Sequence, residues 1–283
     1  MKILITGSNG QLGSEFREIA KTSNWEFIFT DYKELDITDK NQVTEFFKKH
    51  IPNYCINCAA YTAVDKAESE KELAYKINAI GSENLALGCK EVGATLIQIS
   101  TDFVFDGSAS SPLKEDQSTS PINYYGESKL EGELKISAIL NEHIIIRTSW
   151  LYSTFGNNFV KTMLKLSETK DELNIIADQI GTPTYAKDLA LAVEQIIKEG
   201  SESFGVYHYS NEGVASWYDF TKATFEYGSA STKVNPIPTG QYPTPAARPA
   251  YSVMDKSKFK EAFSIEIPYW RESLKECIKQ LSQ

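Results

Sequence analysis

Short apolar runs alternate with longer amphipathic ones along the first 150 residues. The runs 2–6, 25–30, 54–59, 94–100 and 143–149 are brief, with branched and aromatic side chains, and predict strands. The stretches 11–21, 40–50, 70–92 and 124–140 between them predict helices. Strand–helix alternation of this kind builds a parallel sheet with helices on both faces, so an α/β, doubly wound fold is expected. Further helices are predicted over 162–169, 186–199 and 216–227, with short strands near 175–177 and 206–209. We divide the chain into 1–150 and 151–283, with part of 184–210 returning to the first sheet. Two stretches break the alternation. Residues 235–249 are rich in proline, which excludes a regular helix or a central strand, and 106–123 is rich in Ser, Gly and Pro. Both loops are candidates to border a pocket, and the first also reads as a linker. No internal repeat or low-complexity segment is present.

Composition narrows the class. A chain of 283 residues with 41% hydrophobic content can bury a sizeable core. No apolar run approaches the roughly 18 residues that a membrane span requires, and the N-terminus enters a strand directly, without a signal peptide. Net charge is −9 with scattered basic residues, which argues against a nucleic-acid partner. Cys55-Ile56-Asn57-Cys58 matches C-x-x-C, but it lies in a run expected to be a strand, where residues three apart face opposite sides. No second C-x-x-C or nearby His pair completes a metal site, so Cys55, Cys58, Cys89 and Cys277 are read as reduced structural thiols of a cytoplasmic protein.

The first strand runs into chemistry. Glycines stand at 7, 10 and 13 between the 2–6 strand and the 11–21 helix, a variant of the dinucleotide fingerprint. Gly7 would permit the tight turn, Gly10 would let backbone approach a pyrophosphate, and Gly13 would let the helix pack closely. Gln11 and Leu12 fall where helix N-terminal N–H groups meet phosphate, and they complete this candidate set. The first domain is therefore expected to be Rossmann-type, with a smaller C-terminal substrate-binding domain. Asp31, at the end of the second strand, would bond the adenosine ribose. Its charge favours NADH over NADPH, but Lys33 blurs the preference, and both cofactors stay open. Asp36 and Ile37 would flank the adenine, and Thr38 or Asp39 would cap the 40–50 helix.

A second set lies downstream. Tyr125 and Lys129, four apart, share one helix face, where an ammonium can hold a phenol's pKa down. The 94–100 run leads into Thr101 and Asp102, so the Thr101 hydroxyl would point at the same spot. Together these groups make a proton-donating site for a carbonyl under reduction.

These residues resemble the extended short-chain dehydrogenase/reductase superfamily, and within it the dTDP-4-dehydrorhamnose reductases. The resemblance runs nearly end to end, through 7–13, 57–68, 100–107, 125–129, 147–152, 156–159, 178–184 and 242–249. It implies that Tyr125 protonates the substrate carbonyl, that Thr101 hydrogen-bonds it, and that Lys129 lowers the Tyr125 pKa and bonds the nicotinamide ribose. It implies that Ala60, Tyr61, Thr62 and Ile99 line the cofactor channel and that Asp102 touches the sugar. Trp150 would pack on the sugar or frame the pocket, and Arg248 would meet a substrate phosphate or form a surface salt bridge. The implied partner is a nucleotide sugar, and a homodimer is compatible with the family. Some members bridge a dimer through glutamate-bound magnesium. Glu15 matches one such position, but Lys187 stands where they carry Glu, and a cation there repels a metal, so no metal site is expected. Dehydratases of the same scaffold carry an acidic pair after the Thr, whereas Asp102 is followed by Phe103. Epimerases of nucleotide sugars, and a regulator like the regulatory subunit of methionine adenosyltransferase, are the other readings of this scaffold. An intact Thr101, Tyr125 and Lys129 weighs against the regulator.

Overall fold

In a computed structural model that describes residues 1–282, six strands form one parallel sheet. β1 (Lys2–Thr6), β2 (Glu26–Phe29), β3 (Tyr54–Asn57), β4 (Thr95–Thr101) and β5 (His143–Thr148) are joined at the edge by Gly205–His208. The spatial order is Gly205–His208, β5, β4, β3, β1, β2. The apolar runs are buried on both faces, as a sheet covered by helices on each side requires. Ile3, Ile5, Ile97, Ile144 and Ile146 pack with Phe16 of α1 (Gln11–Ala20) and with Leu189 and Val193 of the helix Ala186–Glu199. Leu4, Leu96 and Ile145 point the other way, onto Val43 and Phe47 of α2 (Lys40–His50), Leu85 and Ile136. Cys55 belongs to this second layer and Cys58 packs against the first, so the C-x-x-C pair is split across the sheet. All four cysteines are free thiols.

Boundaries move by a few residues from the sequence expectations. Asp39 caps α2, accepting from the backbone of Asn41 and Gln42. The 70–92 segment is not one regular helix. A π-helical turn, Lys76–Ile80, separates Lys71–Tyr75 from Gly81–Val92. The turn packs closely on the neighbouring helix Tyr124–Ile139, where a Cβ on Gly132 would clash with Asn78 O. The short helices at Val64–Ala67 and Ser257–Phe263 form against tertiary partners, whereas Trp270–Leu281, which sequence reasoning missed, buries Trp270, Leu274, Cys277 and Ile278 at helical spacing.

Residues after β5 build a second core around Tyr152, Tyr185, Phe220, Trp270 and Leu274. Its sheets are pairs. Leu151–Tyr152 runs parallel to Thr184–Tyr185, and Glu172–Ile176 runs parallel to Lys233–Ile237. The last strand contains Pro236, at the start of the proline-rich stretch. A two-stranded ribbon has only edges, so proline's missing N–H is tolerated there. No helix among the described residues is long and apolar enough to cross a membrane.

Candidate active site

A cleft of about 960 Å³ opens where the C-terminal ends of β1, β3 and β4 meet the second core. This is where open parallel sheets bind ligands. The glycine loop forms one wall. Gly7 has φ +62°, and a Cβ there would lie 2.5 Å from the Ala59 backbone N. A Cβ at Gly13 would lie 2.5 Å from both Gly7 O and Ser8 Cα, so α1 can start this close only with glycine. Gly10, Gln11 and Leu12 line the cleft. Gln11 Oε1 is buried and has no hydrogen-bond partner. Asp31 folds back on the same loop and accepts from Asn9 N at 3.0 Å.

Not every expected cofactor contact lines the cleft, and Gly7, Gly13 and Asp31 also stand outside the lining. Ala60, Thr62 and Ile99 line the cleft, but Tyr61 does not. Its hydroxyl donates to Glu70 at 2.6 Å, and its backbone is pinned by Asn78 of the π turn. Asp36 and Ile37 are also absent from the cleft lining. The Asp36 carboxylate accepts from Thr38, and Ile37 is buried in the core against Gly81. Of the two irregular loops, only the proline-rich one borders the cleft, through Tyr242, Thr244 and Arg248. The 106–123 loop instead seats Leu113 on Val104 and Phe105.

Thr101, Tyr125 and Lys129 come together at the cleft. Asn123 caps the helix Tyr124–Ile139 by accepting from Gly126 N at 2.8 Å. Gly126 lets that first turn press on β4's continuation, since a Cβ there would lie 2.1 Å from Phe103 O. Tyr125 thereby lines the cleft together with Thr101, and its ring lies edge-on to Phe103 at 5.8 Å. Tyr124, on another face, sits under the Lys71 ammonium at 4.9 Å. The expected lowering of the Tyr125 pKa is not found. Burial pushes the phenol up to about 12, the Thr101 hydrogen bond opposes this only in part, and the Asp102 charge adds to it. Lys129 directs its Nζ to the Ile99 carbonyl at 2.6 Å, and burial pushes its pKa down to about 8. A desolvated ammonium turned onto a backbone carbonyl cannot outweigh the burial of the phenol.

Asp102 is 2% exposed. Its Oδ1 accepts from Thr101 at 3.1 Å, while Oδ2 has no partner. Burial pushes its carboxyl up to about 6. Trp150 lines the far wall in a left-handed backbone conformation, φ +48°, uncommon for a bulky residue. Stacking on Trp217, with centroids 3.6 Å apart, accompanies it, and Gly181 makes room, since a Cβ there would lie 2.8 Å from the Trp150 indole. Arg248 is not free. It pairs with Asp65 through two hydrogen bonds, at 2.6 and 2.8 Å, tying the proline-rich loop to the helix Val64–Ala67.

Asn157, Phe159, Asn174, Gln179 and Trp217 also line the cleft, though sequence reasoning assigned them no role. Gln179 accepts from Trp217 Nε1 and donates to Thr239, which joins the tryptophan stack to the loop. Asn157, Phe159 and Gln179 lay inside recognisable blocks, whereas nothing local marks Asn174 or Trp217. Outside the cleft, Glu15 accepts from Ser153 at 2.6 Å, and Lys187 stands 4.0 Å from Glu276.

The model of the family described as RmlD substrate binding domain matches residues 1–283. A spore coat polysaccharide biosynthesis protein of Bacillus subtilis is 43% identical over 99% of this chain and 98% of its own. A solved dTDP-4-dehydrorhamnose reductase from Clostridium acetobutylicum superposes with a TM-score of 0.97 at 48% identity, covering 100% of both chains. One from Bacillus anthracis, in complex with NADP, superposes with a TM-score of 0.94 at 40% identity, covering 99% of both.

Proposed function

The chain belongs to the RmlD substrate-binding family, and from that premise we infer that it is an NAD(P)H-dependent oxidoreductase reducing the 4-keto group of dTDP-4-dehydrorhamnose to dTDP-L-rhamnose. The residues present fit a dinucleotide. Gly7 and Gly13 let the loop close against Ala59 and Ser8 where a Cβ would clash, Gly10, Gln11 and Leu12 line the cleft, and Gln11 Oε1 is an orphaned polar atom there. The bound NADPH or NADH supplies the hydride.

The remaining steps belong to side chains of the chain. Gly7, Gly10 and Gly13, with Gln11 and Leu12, hold the pyrophosphate on the α1 N-terminus. Asp31 takes the adenosine ribose, and Ala60, Thr62 and Ile99 shape the nicotinamide end. Tyr125 is protonated throughout the neutral range and gives its proton to the carbonyl oxygen as that oxygen gains charge. Thr101 turns its hydroxyl from Asp102 to the same oxygen and stabilises the developing alkoxide. Lys129, which donates to the Ile99 carbonyl, would offer its ammonium to the nicotinamide ribose as well. The unpartnered Asp102 Oδ2 accepts from a sugar hydroxyl, Trp150 walls the sugar, and Arg248 exchanges Asp65 for a substrate phosphate. Residues 151–283 mainly bind the nucleotide sugar. A cytoplasmic homodimer, without nucleic-acid, membrane or metal partners, completes the proposal.

The observation that carries this reading is the convergence of Thr101 and Tyr125 on one cleft, with the buried ammonium of Lys129 one helical turn on and Gly10 of the glycine loop in the same lining. Mixing the protein with NADPH or NADH and dTDP-4-dehydrorhamnose should lower absorbance at 340 nm and yield dTDP-L-rhamnose. No oxidation with either nucleotide would overturn the reading.

A further inference from the structure

The helix face that carries the proton-donating pair holds a third ionisable residue. Tyr125, Lys129 and Glu133 stand at successive four-residue steps of Tyr124–Ile139 and so share one side of it. Glu133 is 3% exposed, and its carboxylate accepts four hydrogen bonds. Ser100 Oγ donates at 2.5 Å. Arg147 Nε donates to both oxygens at 3.1 Å, and Arg147 Nη2 donates at 2.7 Å. Ser100 sits between Ile99, whose carbonyl receives Lys129, and Thr101. One carboxylate thus ties β4 and β5 to the helix beside the ammonium. Stability alone does not call for this arrangement, because well-packed apolar residues replace buried ion pairs at little cost or with a gain. What an apolar replacement lacks is a carboxylate one helical turn from Lys129 that also anchors Ser100.

Resting on the reading of Lys129 above, we propose that Glu133 is a positioning residue for the reduction: by anchoring Ser100 it fixes the adjoining Ile99 carbonyl that receives Lys129, and its charge one helical turn away keeps that ammonium charged for the cofactor ribose. The groups around Lys129 leave this task to Glu133. Tyr125 on its own helix is a neutral phenol, and Cys58 after β3 is a thiol whose pKa burial pushes up. Asp102 at the end of β4 faces Tyr125 and Thr101. Arg147 of β5 is spent on Glu133, and beyond it burial pushes His208 of the edge strand down to about 3, so it is neutral. Burial drives Lys129 toward deprotonation, and Glu133 is the largest influence against it.

The test is NADPH affinity against pH, read by nucleotide fluorescence from pH 6 to 10 on the intact protein. Wild type should lose affinity above about pH 8 as Lys129 discharges. In E133Q that limb should start about one pH unit lower, near fivefold weaker binding at pH 8, and Glu133→Asp should restore it. A folded E133Q whose affinity falls by the same factor at every pH, with the limb unmoved, overturns the proposal. If E133Q does not fold, E133Q/R147M removes the uncompensated guanidinium as well, and a limb at the wild-type pH in that variant is equally fatal. Lys129→Met separates the two readings. A limb that survives in Lys129→Met, or is missing in wild type, overturns the role of Lys129 and this proposal with it. A limb lost in Lys129→Met but unmoved in E133Q overturns only the role of Glu133.

Discussion

Replacing Tyr125 with Phe removes one oxygen from the site and little else. The ring keeps its edge-on contact with Phe103, 5.8 Å between centroids, and the helix cap at Asn123 is untouched. Folding loses at most one hydroxyl hydrogen bond, worth about 0.5–1.5 kcal/mol. Catalysis loses its acid. Because burial pushes the phenol up to about 12, it carries its proton at every pH where the fold is stable, so wild type should show no Tyr125 limb below about pH 10. Thr101 remains beside the carbonyl and still hydrogen-bonds it, but an aliphatic hydroxyl does not release a proton near neutrality. A positioned general acid contributes roughly 10²–10⁴ in rate, about 2.7–5.4 kcal/mol at the transition state. Turnover of Tyr125→Phe should therefore fall by roughly 100-fold or more, while NADPH affinity stays within about threefold of wild type. Stopped absorbance assays at 340 nm and fluorescence titration measure the two quantities. Turnover within tenfold of wild type would remove Tyr125 from the mechanism.

Other perturbations follow from the same geometry. Asp102 is raised from 3.8 to about 6 by burial, so its ionisation opposes folding at neutral pH, and that cost disappears as pH falls below the unfolded value. Asp102→Asn should thus raise stability at pH 8 by up to ~3 kcal/mol yet lose this advantage near pH 3.5, and equal melting shifts at both pH values would refute it. Arg248→Ala should raise KM for the nucleotide sugar about tenfold with little change in NADPH affinity, as expected for a lost charge-assisted contact of about 1.4 kcal/mol, whereas an unchanged KM would leave Arg248 as a loop clasp only. Asp31→Ala should improve NADPH relative to NADH by removing a carboxylate next to the 2′-phosphate, and an unchanged ratio of kcat/KM values would show that Asp31 does not set the preference.

Local patterns carried most of the scaffold. A β-strand buried on both faces must read as a short apolar run, and a glycine with φ +62° pressed against backbone must be glycine. Those rules made the sheet, the glycine loop and the Tyr125–Lys129 spacing legible from the chain alone. Asp39 as a cap and the splitting of Cys55 from Cys58 follow the same logic, because each depends on neighbours within a few residues. What the chain did not reveal depends on partners far along it. Tyr61 turned to Glu70, Arg248 was claimed by Asp65 from 183 residues away, and Trp150 found Trp217. The Tyr125 phenol went up rather than down, because spacing reports a nearby cation but not the water that folding removes. Sequence by itself determined which groups could do chemistry and the scaffold that carries them. Only the tertiary structure decided their charges and their partners, since burial and long-range packing are properties of the folded whole.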